Sequence, residues 1–469
     1  MTGERSDRLG FLGISAPALP FLVLLLAVAY LPLRRAFFDP QDFLTFLEPR
    51  SAGWDFGRYL AEGWVYYLPD GSLGGFFRPL SSLTFIPEYA AFGADPAGYT
   101  AMNVALHLLC CLTAAWLACR MGLSRGASVV AALVLAAHPR AVFAVRMINC
   151  RPDVLATMFS LAASGAVLGA RGATGRGSAV PAAVLCLMAA WSKELGLVSF
   201  PLALLFRLAW PGERAGRPDS ARLAVLLAAS AALAVASRVL VLDVVAGYSR
   251  YSPLPMMPGN ALQLLGNVTG TAWIPHAPAG IAAALAAAAF LSVPVAASRD
   301  GSARLGIMAA AWILLGSQSI LNPGPPHYEY GPCAAMALTA ACSADSLMSR
   351  RRAEPWAVAA ACAALLSPAA VLGRRTNAAY AAATEDQRAL FEAVGGVSGE
   401  IDPDVRWTIL LSPGHLEKMI PWYVHYHQGS EQAVFCYAEN AAQAPEGAGL
   451  LRYDGRELHV EPPSPEGTP

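Results

Sequence analysis

Long apolar runs recur along this chain, broken by short polar connections. Crossing a bilayer takes about 20 apolar residues. Candidate spans fall at 11–33, 99–119, 126–138, 153–170, 178–192, 195–210, 221–245, 278–297, 303–321, 330–348 and 355–372, about eleven in all. The regions 126–153 and 178–210 are short enough to hold bent or re-entrant pieces. The first run has no small-residue cleavage site ahead of a polar domain, so it reads as a retained anchor. Beyond residue 373 the periodicity changes. Residues 376–395 predict an amphipathic helix, 406–413 and 433–439 predict strands, and 450–460 predict a hairpin turning at Asp454-Gly455. The pattern gives an all-α polytopic membrane protein over 1–373 and a small C-terminal α+β domain over 374–469, with a disordered end. The first outer connection, 34–98, is too long to be only a link.

Composition agrees. Of 469 residues, 55% are hydrophobic and 14% charged, with mean hydropathy +0.44, too little polar surface for a soluble chain of this length. The formal net charge is zero, so nothing calls for nucleic acid. Lysine occurs only at 193 and 418, which leaves nearly all positive charge to arginine, a bias typical of GC-rich bacterial coding. With Arg5 and Arg8 placed in the cytoplasm, the alternate connections carry Arg120/Arg125, Arg171/Arg176, Arg214/Arg217/Arg222, Arg299/Arg304 and Arg350–Arg352. Each short inner connection is then basic, as orientation in a plasma (inner) membrane requires. The C-terminal domain and the unusual polar residues fall outside.

Those residues form a sparse set. Asp39 and Asp42 open the first outer loop, where partial desolvation suits a carboxylate to take a proton from a hydroxyl; on the residues alone the plainer reading is loop carboxylates, with Asp42 the N-cap of a helix starting at Phe43. Arg78 closes the loop, either as a fork for phosphate or as an interfacial arginine reaching for water. Asn103 and His107 share one helix face, which suits an interhelical hydrogen bond or a substrate contact. His138, Arg140, Arg146, Arg151 and Asp153 crowd the turn between two spans, with more cations than carboxylates. Arg151 can answer to Asp153, to a backbone carbonyl or to an anion. Lys193 and Glu194 interrupt an apolar hairpin, where pairing with each other would offset part of their desolvation. His327 and Glu329 enter another span from outside among interfacial tyrosines. The cysteines show no metal-binding spacing and read mostly as small buried residues; Cys150 and Cys333 sit at span ends where a disulfide is conceivable.

In order, Phe77-Arg78-Pro79-Leu80, then Tyr99, Asn103 and His107, then His138-Pro139 and Arg151-Pro152-Asp153, then Ser192-Lys193-Glu194 with Pro201, then His327-Tyr328-Glu329-Tyr330-Gly331-Pro332, the chain resembles the GT-C superfamily of polytopic glycosyltransferases over about residues 10–345. Within it the nearest likeness is to the transmembrane O-mannosyltransferase branch that carries TPR repeats, and to its bacterial relatives; the tail here has no such repeat. The resemblance implies inverting transfer of a sugar, hexosyl or mannosyl, from a polyprenyl-phosphate donor in the membrane to a hydroxyl outside the cytoplasm. The acceptor class, whether glycan, lipid or protein, stays open. The family's early carboxylate doublet maps onto Gln41-Asp42, which makes Asp42 the general base and Asp39 its neighbour. Arg78, Arg151 and Lys193, with His327, His138 and Arg146, become the donor-phosphate group. Asn103, His107, Asp153, Glu194 and Glu329 support them. Metal use stays open: a half-lost doublet is thin support for a divalent cation, and no other cofactor is implied. The chain departs from the pattern at Ala141 and Phe143, where the branch has a histidine and a glutamate, at Cys150 in place of glycine, and at His327 in place of arginine. A transporter, or a non-catalytic scaffold descended from such an enzyme, are the alternatives. The one-sided placement of polar groups and the lack of an inverted repeat speak against transport.

Overall fold

The computed structural model describes residues 18–38, 65–67, 73–93, 95–168, 179–209, 217–242, 257–266, 310–321, 326–351, 370–402, 404–410 and 434–463 (439, 446, 447 and 455 excepted), with 268, 308, 420, 423, 424 and 427. Asp39 and Asp42, the expected span at 278–297 and nearly all of the one at 355–372 lie outside the described residues.

Helix α1 (Ala18–Tyr30) runs into a 3-10 turn, Leu31–Arg35. A short antiparallel hairpin, β1 (Val65–Tyr67) and β2 (Leu73–Phe77), leads directly to α2 (Pro79–Phe92). Helices α3 (Pro96–Arg120), α4 (Arg125–Ala137), α5 (Ala141–Arg146), α6 (Arg151–Val167), α7 (Ala179–Ser192), α8 (Ser199–Ala209) and α9 (Arg217–Leu242) follow. Then come α10 (Met257–Gly266), α11 (Ser317–Leu321) and α12 (Tyr330–Arg351).

The helix starts follow from sequence. Asp95 accepts a hydrogen bond from the Ala97 amide, with Pro96 in the first turn of α3, and Ser124 does the same for the Ala127 amide of α4. Proline also sits in the first turn of α2 (Pro79) and α6 (Pro152), so the Arg78-Pro79 and Arg151-Pro152-Asp153 segments are helix beginnings.

Helix α4 is buried on every side, from Gly126 to Ala137. Its alanines let neighbouring backbones come close, and it has no polar face because no face meets water. The same logic operates between α3 and α6, where a Cβ on Gly165 would lie 2.1 Å from the Trp116 ring. On α9, by contrast, Val225, Leu233 and Leu240 are exposed, the last at 83%. Such an outward apolar face suits lipid rather than water.

Ala18–Arg35, Pro96–Arg120 and Ser220–Leu240 are long and apolar enough to cross a membrane; Arg125–Ala137 and Ala179–Ser192 are shorter apolar helices. The eleven spans expected from hydropathy are therefore not all present as full-length helices among the described residues. Polar turns cut the 126–153 and 178–210 regions into short helices, as their lengths foretold. The conceivable Cys150–Cys333 disulfide is absent, since both cysteines are free. Cys333 Sγ instead faces His138 Nδ1 at 3.3 Å, and Cys150 Sγ faces Asn149 Oδ1 at 3.3 Å.

The C-terminal segment is helical over 370–383, continues as α13 (Glu385–Val397), and forms a four-stranded sheet. Its strands are β3 (Arg406–Leu410), β4 (Val434–Ala438), β5 (Gly449–Tyr453) and β6 (Leu458–Glu461), in the order β4-β3-β5-β6. Both neighbours of β3 are parallel to it, while β5 and β6 form the antiparallel hairpin anticipated around Asp454. Trp407, Ile409, Leu451 and Tyr423 share a hydrophobic cluster with Phe37, Phe38, Phe85, Tyr99 and Ile148, so this sheet packs onto one end of the helical bundle. Thr384 Oγ1 accepts from the Phe37 amide at 2.9 Å and Asn377 Nδ2 donates to the Ala29 carbonyl at 2.8 Å, tying the same two parts by polar contacts.

Gly449 opposes Trp407 across β3 and β5, and a Cβ there would lie 2.5 Å from the indole ring. Gly449→Ala should therefore overpack the sheet and lower stability by about 1–3 kcal/mol. Thermal unfolding of the detergent-solubilised chain would reveal it; an unchanged midpoint would mean that the indole has room to move.

Candidate active site at one end of the helical bundle

The charged residues singled out above stand where helices begin or end. Arg78 precedes α2, Asp153 lies in the first turn of α6, Lys193 follows α7, and His327 and Glu329 belong to a 3-10 turn, Pro326–Glu329, that leads into α12. Two linked knots of buried charge result.

The first centres on Glu194. Its carboxylate takes a two-pronged pair from Arg78, Nε at 3.2 Å and Nη2 at 3.0 Å, and a third bond from Arg238 Nη2 at 3.2 Å. Arg238 also donates to the Phe77 carbonyl, which fixes the end of β2 against α9. Burial alone would raise the Glu194 carboxyl, but the Arg78 and Arg238 guanidiniums outweigh it and hold it down at about 2. Beside it, Lys193 Nζ donates to Asp153 Oδ1 at 2.6 Å and lies 4.6 Å from the centre of the Tyr328 ring. Burial lowers the Lys193 ammonium, Asp153 works against that, and the nearby Arg78 adds to it. His327 belongs to the same neighbourhood: burial pushes its imidazole down to about 4, with Asp153 pulling up and Lys193 and Arg78 pushing down. Thus Lys193 and Glu194, adjacent in sequence, do not pair with each other; each answers to a partner on another element.

A backbone detail makes that turn feasible. A Cβ on Gly196 would lie 1.9 Å from the Ala189 carbonyl oxygen, so only glycine lets the chain after Lys193 fold back this tightly on α7.

The second knot centres on Arg151, which is fully buried. Nε donates to Asn103 Oδ1 at 2.7 Å, Nη1 to Glu88 Oε1 at 2.6 Å and to Thr84, and Nη2 to Glu88 Oε2 at 2.7 Å and to the Tyr99 carbonyl. Phe85 lies beneath the guanidinium at 4.1 Å. All five N–H positions of this arginine are thereby directed at protein groups. Asn103 in turn donates to the carbonyls of Val145 and Met147, so α2, α3 and the turn before α6 are clamped together.

The other predicted residues divide. His138 donates from Nε2 to the Val268 carbonyl at 2.9 Å and accepts the Arg140 amide at Nδ1, which assigns its proton to Nε2. Arg140 reaches Glu329 at 3.3 Å and so links the His138 turn to the His327 turn. Arg146 stacks between Phe143 and Tyr380, at 4.3 and 4.7 Å. His107 meets the Tyr330 hydroxyl at 2.6 Å inside the bundle. Glu88 and Arg238 escaped sequence reading. The signal for Arg238 was a lone arginine within an apolar run; that for Glu88 was an acid one helical turn beyond Thr84.

Cys150, Asp153 and His327 present one potential ligand atom each, all within 4.8 Å of one another.

The chain matches no family model and no curated protein. Solved structures do match it. ArnT from Cupriavidus metallidurans, crystallised bound to undecaprenyl phosphate, aligns over 96% of this chain and 99% of its own, with TM-score 0.54 and 13% identity. The oligosaccharyltransferase AglB from Archaeoglobus fulgidus, in complex with an inhibitory peptide and a dolichol-phosphate, aligns over 92% of this chain and 65% of its own, with TM-score 0.54 and 15% identity. The Archaeoglobus fulgidus oligosaccharyltransferase in complex with Zn and sulfate aligns with TM-score 0.55 and 14% identity over 92% and 63%.

Two predictions follow from the pairing. Glu88→Ala leaves Arg151 buried without its carboxylate and should destabilise the chain by about 3–5 kcal/mol, with much of the loss recovered on adding Arg151→Met. Thermal unfolding of both variants decides it; a single variant as stable as the parent would remove Arg151 from its role as a clamp. Glu194, held below its usual value of 4.5, contributes stability that is complete above that value and lost as pH falls toward about 2. The gap in unfolding temperature between the parent and Glu194→Gln should be constant from about pH 5 to 8 and close over the acid window. A gap that stays open at the acid end would contradict the ion-pair account. At these identities the likeness is one of fold.

Proposed function

We propose that this chain is a membrane glycosyltransferase that moves a sugar from a polyprenyl-phosphate donor to an acceptor hydroxyl at the outer face of the plasma membrane. The observation that carries the reading is the gathering of Arg78, Lys193 and His327 around Glu194 and Asp153 at one end of the bundle, in a fold shared with an ArnT crystallised with undecaprenyl phosphate. The N-terminus lies in the cytoplasm and the C-terminal sheet outside, on the side of the charged cluster.

In this reading the donor phosphate sits against Arg78, half-buried and therefore reachable, and Lys193. Arg238 and Glu194 keep the Arg78 fork oriented. Arg151 acts as a positioning residue, because its donors are already committed to Glu88, Asn103, Thr84 and Tyr99. His138 and Arg146 shape the neighbouring turn. Asp42 removes the acceptor proton, with Asp39 beside it. The acceptor oxygen attacks the anomeric carbon from the face opposite the phosphate, the sugar–phosphate bond breaks, and the departing charge is taken up by Arg78 and Lys193. The configuration at the anomeric carbon is inverted. Hexosyl, most simply mannosyl, transfer fits the O-mannosyltransferase likeness.

Membranes containing the chain, supplied with labelled polyprenyl-phosphate mannose, should label an endogenous acceptor. Asp42→Asn should slow this by about 10²–10⁴-fold, the range for loss of a general base. Failure in Asp39→Asn with survival in Asp42→Asn would move the base by three residues. Solute uptake into vesicles without any transfer would overturn the enzyme reading in favour of transport.

A further inference from the structure

Two residues at which the chain departs from the glycosyltransferase pattern, Cys150 and His327, flank Asp153 in space. Cys150 ends the 3-10 turn Ile148–Cys150, Asp153 lies in the first turn of α6, and His327 comes from the turn before α12. Their ligand atoms lie within 4.8 Å of one another, with Cys150 and Asp153 buried and His327 half-buried. Thiolate, carboxylate and imidazole are the three ligand types that zinc takes, and three protein ligands with an open fourth position make a site able to hold a further molecule. We propose that Cys150, Asp153 and His327 bind a zinc-class divalent ion, with the fourth position left for water or an anion.

The surroundings suit this. Lys193 donates to Asp153 Oδ1 and so leaves the second carboxylate oxygen for the ion while fixing the group's orientation. A sulfur ligand with an imidazole selects zinc over magnesium or calcium, which favour oxygen donors. Bonds of about 2.0–2.3 Å space tetrahedral ligands roughly 3.3–3.8 Å apart, so the three groups need to close by about 1 Å. His327, in a short half-buried turn, is the member best placed to move. Binding takes the proton from Cys150 and delivers it to solvent; thiolate and carboxylate then balance the ion's two charges. The site shares Asp153 and His327 with the cluster proposed to receive the donor phosphate, but metal retention is read without turnover, so its test is separate from that of the function.

The full-length chain in detergent would be stripped with a chelator, exchanged into zinc or cobalt(II), and freed of excess. Elemental analysis should find about one equivalent of metal retained. The cobalt form should show a near-ultraviolet thiolate-to-cobalt band, absent in Cys150→Ser and retained in Cys342→Ser, which controls for other cysteines. His327→Ala should weaken zinc binding by at least about tenfold, and keeps the test readable if Cys150→Ser does not fold. No retained metal, a band that survives Cys150→Ser, or unchanged affinity in His327→Ala would each overturn the proposal.

Discussion

Charges removed from water must find partners, and the end of this bundle is organised by that requirement. Glu194 is held by two arginines from different elements, Asp153 by Lys193, and Glu88 by Arg151. Breaking one such pair strands a charge where desolvation costs several kcal/mol. Each pair therefore fixes where two helices meet: α2 and α9 to the turn after α7, α6 to that same turn, and α2 to α6. A network of this kind suits a site that must receive a phosphate without rearranging, because the donors are aimed before the ligand arrives.

Much of the scaffold was legible in the sequence because it obeys local rules. Proline after Arg78 and after Arg151 sets helix starts, so those motifs announce their own geometry. The changes of period beyond residue 373 foretold a helix and four short strands, including the hairpin at Asp454. The parallel pairing of β3 with β4 and β5 was not foretold, since alternation within a strand does not name its neighbours.

Partner choice was the illegible part. Lys193 and Glu194 are adjacent and opposite in charge, which suggested a local pair; backbone geometry instead sends Lys193 to Asp153, 40 residues away, and Glu194 to Arg78, 116 away. Arg151 similarly passes over Asp153 for Glu88, 63 residues before it. Only tertiary contact decides such matches. Arg238 went unnoticed inside an apolar run, and Glu88 inside a helix that the sequence pattern assigned to the first outer loop. Yet a charge inside an apolar run is itself a signal that a partner exists.

The central claim is that the Arg78–Glu194–Lys193 cluster receives a lipid-linked phosphate. Native mass spectrometry of the purified chain with undecaprenyl phosphate measures that contact without requiring turnover. The account predicts one bound lipid phosphate for the parent chain and its loss in Arg78→Ala, with a neutral polyprenol of equal length binding neither. Equal retention of the phosphate by the parent and Arg78→Ala, or equal binding of the neutral polyprenol, would contradict it.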